Sequence, residues 1–226
     1  MEKIRPFTIM LKDTPVMRVD FEALQYEVLN EKYLPYPVRG KLRNIPDSAD
    51  IKSSYDMTQS IIAARKNQEA IVSWLANRVL LLSSANAKWI YNLFHFEQAG
   101  TDEQRVRIAM TCRAASVADS YWLKFDDDGD MTWSEVDVKK NPLNEIVAQV
   151  ALHGKSLTLQ GSLITPELTT NGAYAKAWRR HGDGSLWLYK LGANGNTESR
   201  IEVMCSNLLD KMNVEHVHYE AGQDED

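Results

Sequence analysis

Three groups in the last third of the chain have the types and spacing that phosphate chemistry needs. Asn171-Gly172-Ala173 is a tight turn with Lys176 just beyond it. Glycine lets a backbone approach an anion closely, and successive N–H groups can line a nest for it. Lys190 ends the run Leu186-Trp187-Leu188-Tyr189-Lys190. Strand residues two apart share a face, so its ammonium lies in line with Leu186 and Leu188. A charge so placed needs a partner or a route to water. Glu202 borders the apolar stripe of a helix expected over residues 197–212, where it can reach a neighbouring sheet; Glu198, one turn earlier, is the alternative partner. An ammonium aimed at phosphates, steadied by a carboxylate that offsets its desolvation, is the chemistry the three would perform together. Taken singly, each has an ordinary reading: a turn that binds nothing, an edge lysine reaching water, a solvated helix-flank glutamate.

The elements that must position these groups follow from local patterns. Residues 173–180 and 185–190 read as strands joined by His181-Gly182-Asp183-Gly184, a strong hairpin signal. The following helix carries Ile201, Met204, Cys205, Leu208, Leu209 and Met212 at the helical period. Upstream, residues 6–21 read as a β-hairpin turning at Asp13-Thr14-Pro15, residues 22–30 as a short helix and residues 34–54 as loop. Helices are expected over 61–82, 85–96 and 101–115, the last opened by the N-cap Thr101. Trp74, Trp89 and Phe96 are expected in the core. Residues 121–125 read as a strand, 126–130 as a turn and 131–138 as its return; Asn141-Pro142 opens a helix that stops at Gly154. Beyond Lys155, Leu157 and Leu159 alternate with polar residues. The expected class is α+β: a mainly helical accessory region over 1–140 bearing the N-terminal hairpin, then an antiparallel sheet with one packed helix over 141–226.

Bulk properties exclude some classes. Of 226 residues, 44% are hydrophobic and 25% charged, and the net charge is −5, which argues against a nucleic-acid footprint. The nearest basic patch, Lys176 with Arg179, Arg180 and His181, is short. Cys112 and Cys205 lack metal-ligand spacing and read as small buried hydrophobes, a usage that fits a reducing compartment. The first 15 residues are too polar for a signal peptide, and the apolar run over 70–82, interrupted by Asn77 and Arg78, is too short to span a bilayer. A cytoplasmic protein with neither membrane nor direct nucleic-acid contact is expected. Residues 223–226 form an acidic tail.

Two other patterns contain the residue types of a metal site. Asp126-Asp127-Asp128-Gly129-Asp130 has acidic spacing, but aligning an EF-hand on Gly129 puts Lys124 at the first ligand position, so a solvated turn is expected. His216 and His218 share a face of an expected strand over 214–219, with no third ligand evident in the sequence, so no metal site is assigned.

Glycine turn, hairpin, strand lysine and helix glutamate occur in the order of a protein-kinase small lobe. Asn171-Gly172-Ala173-Tyr174-Ala175-Lys176, then Leu188-Tyr189-Lys190-Leu191, then the helix from Glu198 to Met212 followed by Val214, resembles the HipA-like serine/threonine kinases. Asp119-Ser120-Tyr121-Trp122-Leu123-Lys124, with Thr132-Trp133, Val136 and Asn141-Pro142-Leu143, resembles a preamble of phage- and clostridial-type members, so the resemblance covers residues 116–219. It implies an ATP site made by Asn171, Gly172, Ala173, Lys176, Lys190 and Glu202, and places Thr169 where some members carry an autophosphorylated serine.

The family's catalytic aspartate lies in an Asn-x-Asp-Arg-His-x-x-Asn segment of the large lobe, followed by a metal-binding aspartate; no Asp-Arg-His occurs in this sequence. No catalytic residue or magnesium ligand is therefore expected here, and the chain reads as an incomplete kinase. Binding of Mg²⁺ and transfer to a protein serine or threonine would need a large lobe supplied elsewhere. The resemblance further implies a toxin of a toxin–antitoxin pair, with a DNA-binding antitoxin as partner. The other expectation is a non-catalytic interaction module, its helical middle the working surface and the small lobe a scaffold.

Overall fold

The computed structural model describes residues 4–46, 48–96, 100–192 and 195–222. The acidic tail over 223–226 lies outside them. The fold is α+β, with a four-stranded antiparallel sheet, a two-stranded antiparallel sheet and six α-helices among the described residues.

Alternation in the first 20 residues makes β1 (Phe7–Leu11) and β2 (Thr14–Asp20), which bury Phe7, Ile9, Val16, Met17 and Val19. The hairpin turns at Lys12-Asp13, so Thr14 and Pro15 belong to the strand, and a bulge follows Ile9. The expected helix over 22–30 is instead a turn and a third strand, β3 (Gln25–Val28). The Asp20 carboxylate accepts from the Glu22 and Ala23 N–H groups, and Leu24 takes a positive φ of 54°, which reverses the chain toward β2. Tyr26 then packs on Phe21, a gain that a solvated helix lacks.

The sheet closes with β4 (Tyr121–Phe125), giving the order β3-β2-β1-β4. The expected return strand over 131–138 is absent. Thr132 and Glu135 form a capping box that nucleates the short helix α4 (Trp133–Val136), while β4 pairs with the distant β1. The expected small hairpin is thus half of a larger sheet. Trp122 is fully buried beneath it with Met10, Ala115, Val136 and Val138, and donates its indole N–H to the Lys12 carbonyl at 2.8 Å.

Three α-helices fall between β3 and β4 along the chain. α1 (Ser54–Ala76) starts at the Ser53 cap, earlier than expected, and ends before Leu81 and Leu82, which are exposed. α2 (Ala87–Leu93) buries Ile90, Tyr91 and Leu93, leaving Trp89 exposed contrary to expectation. Trp74 is buried and Phe96 packs partly buried against the core. α3 (Asp102–Thr111) opens with the expected Thr101 cap and packs on α1.

α5 (Glu145–His153) begins at Asn144, whose side chain accepts from two backbone N–H groups, so Pro142 lies outside the helix. It ends at Gly154, which has φ +66°; a Cβ there would meet Asn86, whose amide donates to the Ala151 and Leu152 carbonyls. Residues 155–165 contain no strand. One core joins Ile71, Leu75 and Ile90 with Val147, Val150 and Ala177, and so runs through residue 140 without a break. No described helix is long and apolar enough to cross a membrane.

Candidate functional site

The C-terminal hairpin is β5 (Lys176–Arg180) and β6 (Leu186–Lys190), turned at the expected glycine-rich tetrapeptide. Its register pairs Lys176 with Lys190, so both ammonium groups project from the same face at the same end. α6 (Thr197–Lys211) then presents Glu202, and the Lys190 Nζ lies 2.9 Å from Glu202 Oε1. The structure thus brings together the lysine and the glutamate singled out by spacing, and makes Glu202 the partner. Lys190 also sits 4.9 Å over the ring of Tyr219. Burial opposes its charge, but Glu202 and Tyr219 outweigh that and hold its pKa above the usual lysine value.

Lys176 behaves oppositely. Burial, then the neighbouring Lys190 charge, depress its pKa against the counter-effect of Glu202. Its ammonium donates to the Asn171 carbonyl at 2.9 Å, and among the described residues no carboxylate pairs with it. Gly172 makes this approach feasible: its φ is +126°, and a Cβ there would collide with the Lys176 ammonium. Two ammonium groups against one carboxylate leave a net positive charge beside the glycine turn, an arrangement suited to a polyanion.

The turn is anchored by the helical region. Leu80 N–H donates to the Leu168 carbonyl, Asn171 Nδ2 to the Asn77 carbonyl and Ala85 N–H to the Ala173 carbonyl. The link between α1 and α2 therefore backs the glycine turn along its length, a role for the N-terminal region that the sequence did not suggest.

Thr169 points the other way. It is 7% exposed, and its hydroxyl donates to the Ala115 carbonyl at 2.8 Å and lies 3.2 Å from that of Pro166. Sequence reasoning also missed Glu167, a buried carboxylate that accepts from the Trp178 N–H at 3.0 Å and from the Thr165 hydroxyl. Burial pushes its pKa up. It ties the segment before the turn to β5, and nothing in its sequence neighbourhood distinguishes it from a surface glutamate.

A cleft of about 380 Å³ adjoins the ion pair, walled by Leu188, Lys190, Glu202, Val203, Tyr219 and Gly222 among others. Gly172 and Lys176 do not line it. The expected strand over 214–219 is irregular chain that forms part of this wall.

The apolar stripe of α6 is not packed as expected. Ile201, Met204, Leu208 and Met212 are between 49% and 64% exposed, and Cys205 is exposed too, while Ser206 faces inward. Cys112 is buried as expected, with its thiol pKa pushed up to about 12 by burial. The Asp-rich turn is paired as well as solvated: Arg18, Arg5 and Arg113 bind Asp126, Asp127 and Asp128 in turn. No family profile, curated protein or solved structure matches the chain.

Proposed function

We propose that this chain is the N-terminal portion of a HipA-like serine/threonine kinase, whose residues 141–226 act as the small lobe and hold the phosphates of ATP. The observation that carries this is the 2.9 Å pair of Lys190 with Glu202, with Lys176 across the strand register and the Gly172 turn beside it. Glu202 keeps Lys190 charged and aimed. Lys176, repelled by Lys190, gains a partner when a phosphate arrives. A charge-assisted hydrogen bond contributes about 1.5–3 kcal/mol, so each lysine is worth roughly ten- to hundredfold in affinity.

Transfer to a protein serine or threonine requires the base and the Mg²⁺ ligands of a large lobe, and no Asp-Arg-His segment is present in this sequence. ATP binding without turnover is therefore the activity assigned to the isolated chain. An antitoxin-like DNA-binding protein is the partner that this reading brings with it.

Titration with a fluorescent ATP analogue tests the assignment. Lys190→Ala should weaken binding at least about tenfold and Glu202→Gln less, with circular dichroism unchanged. Equal affinity of the wild-type chain and Lys190→Ala for the nucleotide would remove the reading's support.

A second reading, a non-catalytic interaction module, draws on the exposed stripe of α6. Met204 and Leu208 on one helix face form an apolar surface of the kind that marks a protein contact. A chain that ignores ATP but loses a protein partner on Leu208→Glu would favour that module over the kinase.

A further inference from the structure

We propose that Asp210, His216 and His218 form a binding site for one Zn²⁺ ion, which fastens the segment after α6 to the last turns of that helix. This site is independent of the nucleotide reading. The chain reverses after α6: Asn213 takes a positive φ of 53°, the Val214 N–H donates to the Leu209 carbonyl, and the Tyr219 N–H donates to the Ser206 hydroxyl at 3.0 Å. That return path supplies the third ligand that the sequence alone did not reveal, because Asp210 lies on the helix and the two histidines on the segment folded back along it.

The three candidate ligand groups lie close together without bonding one another. His216 Nε2 is 3.7 Å from Asp210 Oδ1, and His218 Nδ1 is 3.9 Å from Asp210 Oδ2, with one ligand atom from each residue within 4.8 Å of the others. These distances are too long for hydrogen bonds. The two carboxylate–imidazole separations exceed by about half an ångström the ~3.3 Å between ligand atoms that tetrahedral bonds of ~2.0–2.1 Å impose, and the two imidazoles, within 4.8 Å of each other, must draw together as well. Small side-chain rotations close that gap.

The outer partners orient the lone pairs. His216 Nδ1 lies 2.9 Å from the Val214 carbonyl, which only accepts, so Nδ1 carries the proton and Nε2 offers its lone pair. The Ser206 hydroxyl oxygen lies 2.8 Å from that nitrogen, in the place the ion must take, so this side chain has to rotate away from Nε2 and from the Tyr219 N–H when the metal binds. His218 Nε2 is 3.8 Å from the Glu220 carboxylate, beyond hydrogen-bond distance, so Glu220 is a neighbour that could close on this nitrogen while Nδ1 faces Asp210. A carbonyl or carboxylate behind each ligating imidazole is the usual support of a metal-bound histidine. Two imidazoles and one carboxylate suit Zn²⁺ better than Mg²⁺ or Ca²⁺, and solvent completes the coordination.

Equilibrium dialysis of the full chain with ZnCl₂, carrying Cys205→Ser to remove the exposed thiol, tests the site. One ion per chain with a Kd on the order of 10 μM is expected, together with shifts of the His216 and His218 ring signals in NMR. His218→Ala, at an exposed ring, and Asp210→Asn should each weaken binding at least about tenfold without unfolding the chain. His216→Ala serves only as a third check, since its ring also supports Ser206. Absence of binding at 100 μM on the scale of ordinary protein zinc sites overturns the proposal. So does stoichiometric Zn²⁺ that both His218→Ala and Asp210→Asn leave unchanged.

Discussion

Arg113 with Asp128, at the end of the four-stranded sheet, and Lys190 with Glu202, beside the C-terminal hairpin, are both cation–carboxylate pairs, but they are built for different ends. In the first, the side chains are 15% and 6% exposed, two guanidinium nitrogens grip the carboxylate, and the Phe125 N–H adds a third donor. Burial opposes the Asp128 charge, yet Arg113, that N–H and Arg5 outweigh it and hold its pKa below the ordinary 3.8. In the second, the side chains are 25% and 37% exposed, a single contact joins them, and a second ammonium stands alongside. A closed, satisfied pair stabilises; an open pair with surplus charge is available to a ligand. The difference lies in how many donors and acceptors each pair leaves unused.

The largest effect should come from breaking the closed pair. Arg113→Ala strands a buried carboxylate and should cost about 3 kcal/mol in urea denaturation. The sign of its pH dependence is set by Asp128: a depressed carboxylate pKa gives stability that is present above 3.8 and lost as pH falls through the folded value. The gap between wild type and Arg113→Ala should therefore narrow below pH 3.8. A loss under 1 kcal/mol would mean that the pair is no more than a surface contact.

Next comes Gly172→Ala. Its strained φ and displacement of the Lys176 ammonium should cost on the order of 1–2 kcal/mol and weaken nucleotide binding too. If stability falls but affinity does not, the turn is structural only.

Glu167→Gln keeps the shape of a carboxylate that burial protonates more readily. A raised carboxylate pKa means stability is lost as pH rises from the ordinary 4.5 through the folded value. The glutamine variant lacks that loss, so its stability relative to wild type should grow across this interval. A constant difference from pH 4 to pH 8 would contradict the burial of that charge in the folded state.

The open pair should give the smallest stability change. Lys190→Ala is expected to cost less than about 1 kcal/mol and, on the proposed ATP-binding reading, to weaken nucleotide affinity at least about tenfold, the reverse of Arg113→Ala. Thiol labelling sharpens the same contrast between regions: Cys205 should react at once in the native chain and Cys112 only on unfolding.

Local chemistry was read well from the sequence. The first hairpin, the Thr101 cap, the Gly154 stop, the glycine-turned second hairpin and the span of α6 all rest on neighbours within a few residues, which the sequence states directly. A pairing of Lys190 with a carboxylate of the following helix was also legible, while the choice of Glu202 over Glu198 came from the structure.

Other features depended on partners far along the chain. β3 and the loss of the expected return strand follow from pairing across the four-stranded sheet, which joins residue 7 to residue 125. Trp89 and the α6 stripe are apolar at helical spacing, yet which face is covered depends on what the fold brings against it. The sequence by itself determined the Thr101 cap, the Gly154 stop and the glycine-rich turn between β5 and β6, since those energies are local. Only the tertiary structure decided which charges are buried and paired, how the link between α1 and α2 braces the glycine turn, and that Asp210 meets His216 and His218, because desolvation and ion pairing depend on distances that no spacing along the chain encodes.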